Sequence, residues 1–122
     1  MELVEVTETH YEFIRNLRMH PKNLKWFLNQ SEITAEDQVN YMEKHAQDYR
    51  VCLLYGEPVG YVGVIENDIR ICTHPSFAGN GVGYFMLSEI KKLYPEATGK
   101  ILKHNTASRK LFEKCKIPYE VI

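Results

Sequence analysis

Three glycines at alternate positions, Gly79, Gly81 and Gly83, stand between a strand-like run and a helix-like one, in the segment Ile71-Cys72-Thr73-His74-Pro75-Ser76-Phe77-Ala78-Gly79-Asn80-Gly81-Val82-Gly83-Tyr84. Glycine lets the backbone adopt positive φ and come close to a ligand. The first turn of a helix leaves N–H groups without partners, and the helix dipole favours an anion at that end. Together these features build a cradle for phosphate. By spacing alone the segment also fits a tight strand-to-helix connection. A P-loop ends in Gly-Lys-Ser/Thr, whereas Gly83 is followed by Tyr84 and Phe85. A dinucleotide fingerprint needs G-x-G-x-x-G within repeated βαβ units, and neither is present.

Other chemistry fits poorly. The five histidines form no i,i+4 ligand pair and stand beside no carboxylate cluster, so no metal is expected. Cys52, Cys72 and Cys115 are an odd count with no CxxC pair, which argues against a disulfide framework or a zinc site. They read as small buried hydrophobes. Cys115 lies on the apolar face of its helix, with no histidine placed to activate it.

The elements around the glycine turn follow from pattern. Residues 2–7 alternate as a short strand. Thr9-x-x-Glu12 is a capping box, followed by Phe13, Ile14 and Leu17 on one helical face. His20-Pro21 ends that helix, and residues 21–33, with Trp26 and Phe27, read as irregular. Thr34-x-x-Asp37 caps a second helix. Strands are expected at Arg50–Tyr55, Val59–Glu66 and Ile69–His74, joined by turns at Gly56-Glu57-Pro58 and Asn67-Asp68. A helix then carries Val82, Phe85, Met86, Ile90 and Leu93 on one face and stops at Pro95. Thr98–Leu102 is a strand, Asn105 or Thr106 caps a last helix, and residues 117–122 form a last strand. The order βααβββαβαβ defines one α/β domain over residues 1–122, with a mixed central sheet flanked by helices.

Composition is that of a soluble globular protein, 44% hydrophobic and 25% charged. No apolar run reaches the ~18 residues of a membrane span, and no signal peptide is recognisable, so a cytoplasmic protein without membrane association is expected. The net charge of −1 conceals an asymmetry, because residues 91–122 carry eight basic and three acidic side chains. No nucleic-acid motif accompanies them, and no nucleic-acid partner is expected.

The glycine turn and the segment after it together resemble the acetyl-CoA motifs of the GNAT N-acetyltransferase superfamily. The first is written Q/R-x-x-G-x-G/A and follows a strand ending in a Val-x-Pro-like segment. Thr73-His74-Pro75 matches that strand end, and Gly81 and Gly83 fall on the glycines. The second, roughly Asn-x-x-Ala-x-x-Leu-Tyr-Glu-Lys-x-Gly-Phe, corresponds to residues 105–117, from Asn105 through Leu111-Phe112-Glu113-Lys114 to Ile117. The resemblance implies the GNAT acyl-CoA N-acyltransferase fold with a shortened C-terminus, and acetyl-CoA as co-substrate without a metal. It implies pantetheine pairing with the backbone of Ile71, Cys72 and Thr73, and pyrophosphate on the turn formed by Gly79, Asn80, Gly81, Val82, Gly83 and Tyr84. Asn105 would touch the pantetheine arm, with Lys103, Arg109 and Lys110 near the phosphates.

The implied reaction is direct attack of a neutral small-molecule amine on the thioester, with Cys72 or Thr73 N–H at a strand bulge stabilising the oxyanion. Glu66, Asp68, His74 and His104 are the titratable groups expected nearest the cleft, Glu66 and His74 being the base candidates. Ala78 replaces Q/R, and Phe112 replaces the tyrosine that protonates the leaving thiolate in many relatives, which leaves Tyr84, Tyr119 or solvent to supply that proton. Ile14-Arg15-Asn16 and Ile33–Tyr41 resemble a branch acting on amino groups of nucleotide-linked sugars or on protein N-termini. Gln38 and Tyr41 stand in place of that branch's His and Trp. The single apolar strand after the last helix implies an edge that a homodimer would cover.

Overall fold

The computed structural model describes residues 1–122 throughout. Strand β1 (Glu2–Glu5) leads through a single 3-10 turn into α1 (Tyr11–Met19). The helix starts later than Thr9 because the box forms at Thr7, whose N–H donates to His10 Nδ1 at 3.1 Å. Residues 21–33 are less irregular than expected. His20 is extended before Pro21, and its Nδ1 accepts the Lys22 N–H at 3.1 Å, so a one-turn helix α2 (Pro21–Leu24) forms. Helix α3 (Ala35–His45) carries the expected box, with Thr34 and Asp37 each accepting the other's N–H at 3.1 Å.

Strands β2 (Tyr49–Leu54), β3 (Glu57–Ile65) and β4 (Asp68–Thr73) follow as antiparallel neighbours of β1, in the order β1-β2-β3-β4. Both hairpins turn one residue earlier than expected, on positive-φ pairs, Tyr55-Gly56 and Glu66-Asn67. Such pairs match the twist of the flanking strands. Pro58 therefore falls inside β3, and the register slips between Cys52 and Leu53, opposite a residue that has no N–H to donate.

Helix α4 (Val82–Leu93) packs Val82, Met86, Leu87 and Ile90 onto one sheet face, against Val62, Val64 and Ile69. Burial of each such side chain is worth about 1.5–3 kcal/mol. Helices α1 and α3 cover the other face through Ile14, Leu17 and Met42, over Tyr49, Val51, Tyr61 and Cys72. All three cysteines are free and buried. No helix is long and apolar enough to cross a membrane.

Strand β5 (Gly99–Ile101), helix α5 (Thr106–Lys114) and strand β6 (Tyr119–Val121) complete the chain. The sheet is mixed but divided, because β5 and β6 form a separate parallel pair. A single bridge, Asp68 to Thr98, joins the two sheets. There Ile69 N–H donates to Thr98 O at 2.9 Å and Thr98 N–H to Asn67 O at 2.8 Å. Beyond it β4 and β5 part.

Candidate active site

The parting of β4 from β5 opens a cleft whose wall is read from hydrogen-bond parity. Ile69 N–H points to β5, so alternation turns the peptide groups of Ile71 and Thr73 to the same open edge. His74 N–H goes the other way, to Val59 O of β3 at 2.8 Å, and the Cys72 backbone shares that direction. This corrects the expectation for Cys72. Its peptide belongs to the β3 ladder, and only Ile71 and Thr73 can pair with a ligand. The expected bulge is also absent from β4, which pairs without a slip from Asp68–Ile65 to Thr73–Gly60. The Cys72 thiol donates to Leu17 O at 3.7 Å, and burial pushes it up to about 12, so it stays protonated.

At the open end of β4 the glycine turn presents a set of donors. Gly79 and Gly81 have φ of 82° and 81°, and Gly81 is the N-cap of α4. A Cβ at either position would meet open space. The N–H groups of Gly79, Gly81, Val82, Gly83 and Tyr84 donate to no backbone acceptor, whereas Phe85 N–H opens the helix ladder on Gly81 O at 3.0 Å. Asn80 differs from expectation, since its N–H closes the turn on Phe77 O at 3.2 Å. Gly83 also serves packing. A Cβ there would approach Leu111 Cδ2 to 2.7 Å, so glycine allows α5 to lie close to α4. Asn105 caps α5, its Oδ1 accepting Ser108 N–H at 3.2 Å, which leaves its amide NH2 to donate elsewhere. Arg109 donates to Lys103 O at 3.2 Å and steadies the loop before α5.

The base and acid candidates fare differently. Glu66 is exposed in the β3–β4 turn with φ 51°. At about 3.3 Å per strand residue it lies on the order of 20 Å from Thr73, beyond the closed end of the cleft. Asp68 is paired with Arg70 at 2.9 Å. His74 is at the open end, but its Nδ1 accepts Ser76 N–H at 3.1 Å, so the neutral ring carries its proton on Nε2 and can only donate. The Tyr84 ring lies under Lys114 Nζ, 4.7 Å from its centroid, in a groove of about 510 Å³ between α4 and α5 that is also lined by Lys91, Lys92 and Lys116. The Tyr84 amide serves the turn, while its side chain lines that outer groove. Phe112 is 2% exposed, packed against Gly99 and edge-on to Tyr119, whose hydroxyl donates to Glu113 at 2.7 Å.

Sequence reasoning missed a second feature, on the α1 and α3 side of β4. A cavity of about 200 Å³ is lined by Ile14, Arg18, Phe27, Tyr41, Tyr49, Arg70 and others. The Tyr41 and Tyr49 hydroxyls share a 2.8 Å hydrogen bond, and burial raises the Tyr49 and Tyr61 pKa values, so both remain neutral. Gln38 is buried and donates to Tyr11 O at 3.3 Å, holding α3 on the first turn of α1.

The profile of the acetyltransferase (GNAT) family matches residues 11–116. The chain belongs to the GNAT acetyltransferase family. No curated protein matches it by sequence. Among solved structures it resembles the ribosomal-protein-alanine N-acetyltransferase of Brucella melitensis, with 18% identity, TM-score 0.79, and coverage of 93% of this chain and 82% of that one. A domain from Methanocaldococcus jannaschii gives 21% identity and TM-score 0.80 over 94% and 86%. The spermidine N-acetyltransferase of Vibrio cholerae, solved with CoA and spermine, gives 17% identity and TM-score 0.78 over 93% and 78%. These likenesses establish the fold.

Proposed function

We propose that this chain transfers the acetyl group of acetyl-CoA to a primary amine. The observation that carries the reading is the set of five unpaired N–H groups from Gly79 to Tyr84, set beyond the open edge of Ile71 and Thr73. The first suits a pyrophosphate, and the second suits the amides of a pantetheine arm lying as a surrogate strand. Asn105, with its amide NH2 unused, stands at the start of α5 to steady the arm.

The amine nitrogen attacks the thioester carbonyl carbon, and the carbonyl oxygen takes the developing charge. Ile71 and Thr73 N–H groups are the donors on the cleft wall able to meet it. No base is supplied by His74, whose Nδ1 is engaged, so the ammonium proton leaves through water. The thiolate takes its proton from solvent, since Phe112 has no hydroxyl and is buried. Ala78 and Phe112 also favour a second reading, a domain that binds acetyl-CoA without turning it over.

The acceptor enters from the α1 side, where the cavity beside β4 would take a small head group. An amino-sugar nucleotide would place only its sugar there, and a protein N-terminus only its first residue. A rise in melting temperature with acetyl-CoA tests cofactor binding, and thiol release with a panel of amines tests transfer. A shift without release favours the second reading, and no shift defeats both. The outer edge of β6 has no partner strand and leaves Val121 and Ile122 exposed, which supports a homodimer covering it. Light scattering that gives a monomer at high micromolar concentration defeats that extension.

A further inference from the structure

Arg18 presents an unexplained charge. Its guanidinium lies 4.5 Å above the Phe27 ring, and Nη2 donates to Asn29 O at 2.6 Å. Its Nη1 is buried with no hydrogen-bond partner, the one side-chain nitrogen or oxygen in the molecule of which this is true. An unpartnered buried donor is costly, more so on a charged group, and calls for an explanation. Arg18 lines the cavity between α1, α3 and the sheet, together with Arg70, which Asp68 holds through Nε at 2.9 Å. No acidic side chain lines that cavity. Two guanidinium groups thus face a small space whose other walls are Ile14, Phe27, Ile33, Met42 and three tyrosines.

We propose that this cavity binds a carboxylate carried by the acceptor amine, with Arg18 Nη1 as the central donor and Arg70 at the mouth. The proposal rests on the acetyl-transfer reading for the amine and on the cavity alone for the anion. A planar carboxylate matches the fork of a guanidinium. A phosphate would bring a third oxygen and more charge into an enclosure of about 200 Å³ with few further donors. The Tyr41 and Tyr49 hydroxyls, bonded to each other, can supply one more hydrogen bond to a carboxylate oxygen. Arg70 stands two residues before Cys72 on β4, so the cavity opens beside the strand that walls the cleft, and an amine on a short chain from the carboxylate would reach it.

Two measurements test this. Titrating the full chain with acetate and, separately, with inorganic phosphate should move the Arg18 guanidinium resonances saturably with acetate alone. Saturation by phosphate and not acetate, or by neither, overturns the carboxylate assignment. In thiol-release assays, glycine, β-alanine, 4-aminobutanoate and 5-aminopentanoate are compared with their amides. At least one acid should show a KM tenfold or more below its amide. Arg18→Met should erase that difference while the acetyl-CoA melting shift persists, and Arg18→Lys, which keeps the charge, should restore part of it. Acids and amides used equally well overturn the proposal. Absence of release with every amine, beside an intact acetate titration, would defeat the acetyl-transfer reading and leave the carboxylate site standing.

Discussion

The imidazoles of His20 and His74 meet edge to face with centroids 6.3 Å apart, and each Nδ1 accepts the N–H of the residue two positions on. Both precede a proline, and each begins a helical turn. The pair ties the end of α1 to the end of β4 at the cleft mouth. His74 thereby has a capping role that excludes service as a base from Nδ1. His74→Asn, which keeps a capping acceptor, should hold melting temperature near that of the native chain and lower kcat less than fivefold. General-base loss would cost on the order of 10²–10⁴-fold, and a fall of that size in a folded His74→Asn protein would overturn the assignment.

Gly81 should tolerate no negative side chain. Gly81→Asp places a carboxylate among the free N–H groups and adds left-handed strain of roughly 1–2 kcal/mol. The melting shift caused by acetyl-CoA should disappear. Gly81→Ala carries the same strain without the charge, and should keep part of that shift.

Phe112→Tyr should not repair catalysis. The ring is buried with its edge against Gly99, so an added hydroxyl would lack room and a partner. An unsatisfied buried hydroxyl costs about 1–3 kcal/mol, and the denaturant midpoint should fall accordingly. Thiol release raised above the native rate would show that the ring reaches the cleft.

Stability should decline in alkali. The Cys72 thiol titrates near 9 when free and about 12 in the fold, chiefly through burial. Between those values the unfolded chain releases a proton that the folded chain keeps. Stability present below pH 9 is therefore lost as pH rises, by up to about 1.4 kcal/mol per pH unit. Tyr49 and Tyr61, also raised by burial, add to the slope above pH 10. Urea midpoints compared at pH 8 and pH 10.5 check the direction, and Cys72→Ala should flatten the first part of the curve.

The parts of this architecture legible in the residues were those governed by local rules. Alternating glycines before an apolar helical face marked the turn, and Thr34 with Asp37 marked the start of α3. What local rules left open depends on parity or on distance. Glu66 stands at the β3–β4 turn, and it lies far from the cleft because β4 meets β5 at Asp68 and parts from it only toward Thr73. Whether Cys72 or its neighbours face the open edge follows from the Ile69–Thr98 hydrogen bond, a pairing 29 positions apart in the chain. Arg18 and Arg70 come to one cavity only because α1 lies across β4, which no periodicity in either segment encodes.

Ending the pairing of β4 with β5 at a single bridge has a further cost. Ile71 and Thr73 present backbone donors and acceptors along an unprotected edge, and such an edge will accept a strand from another molecule as readily as a ligand arm. The ligand would then act as a guard of solubility, with aggregation on warming setting in earlier for the empty protein than for the filled one.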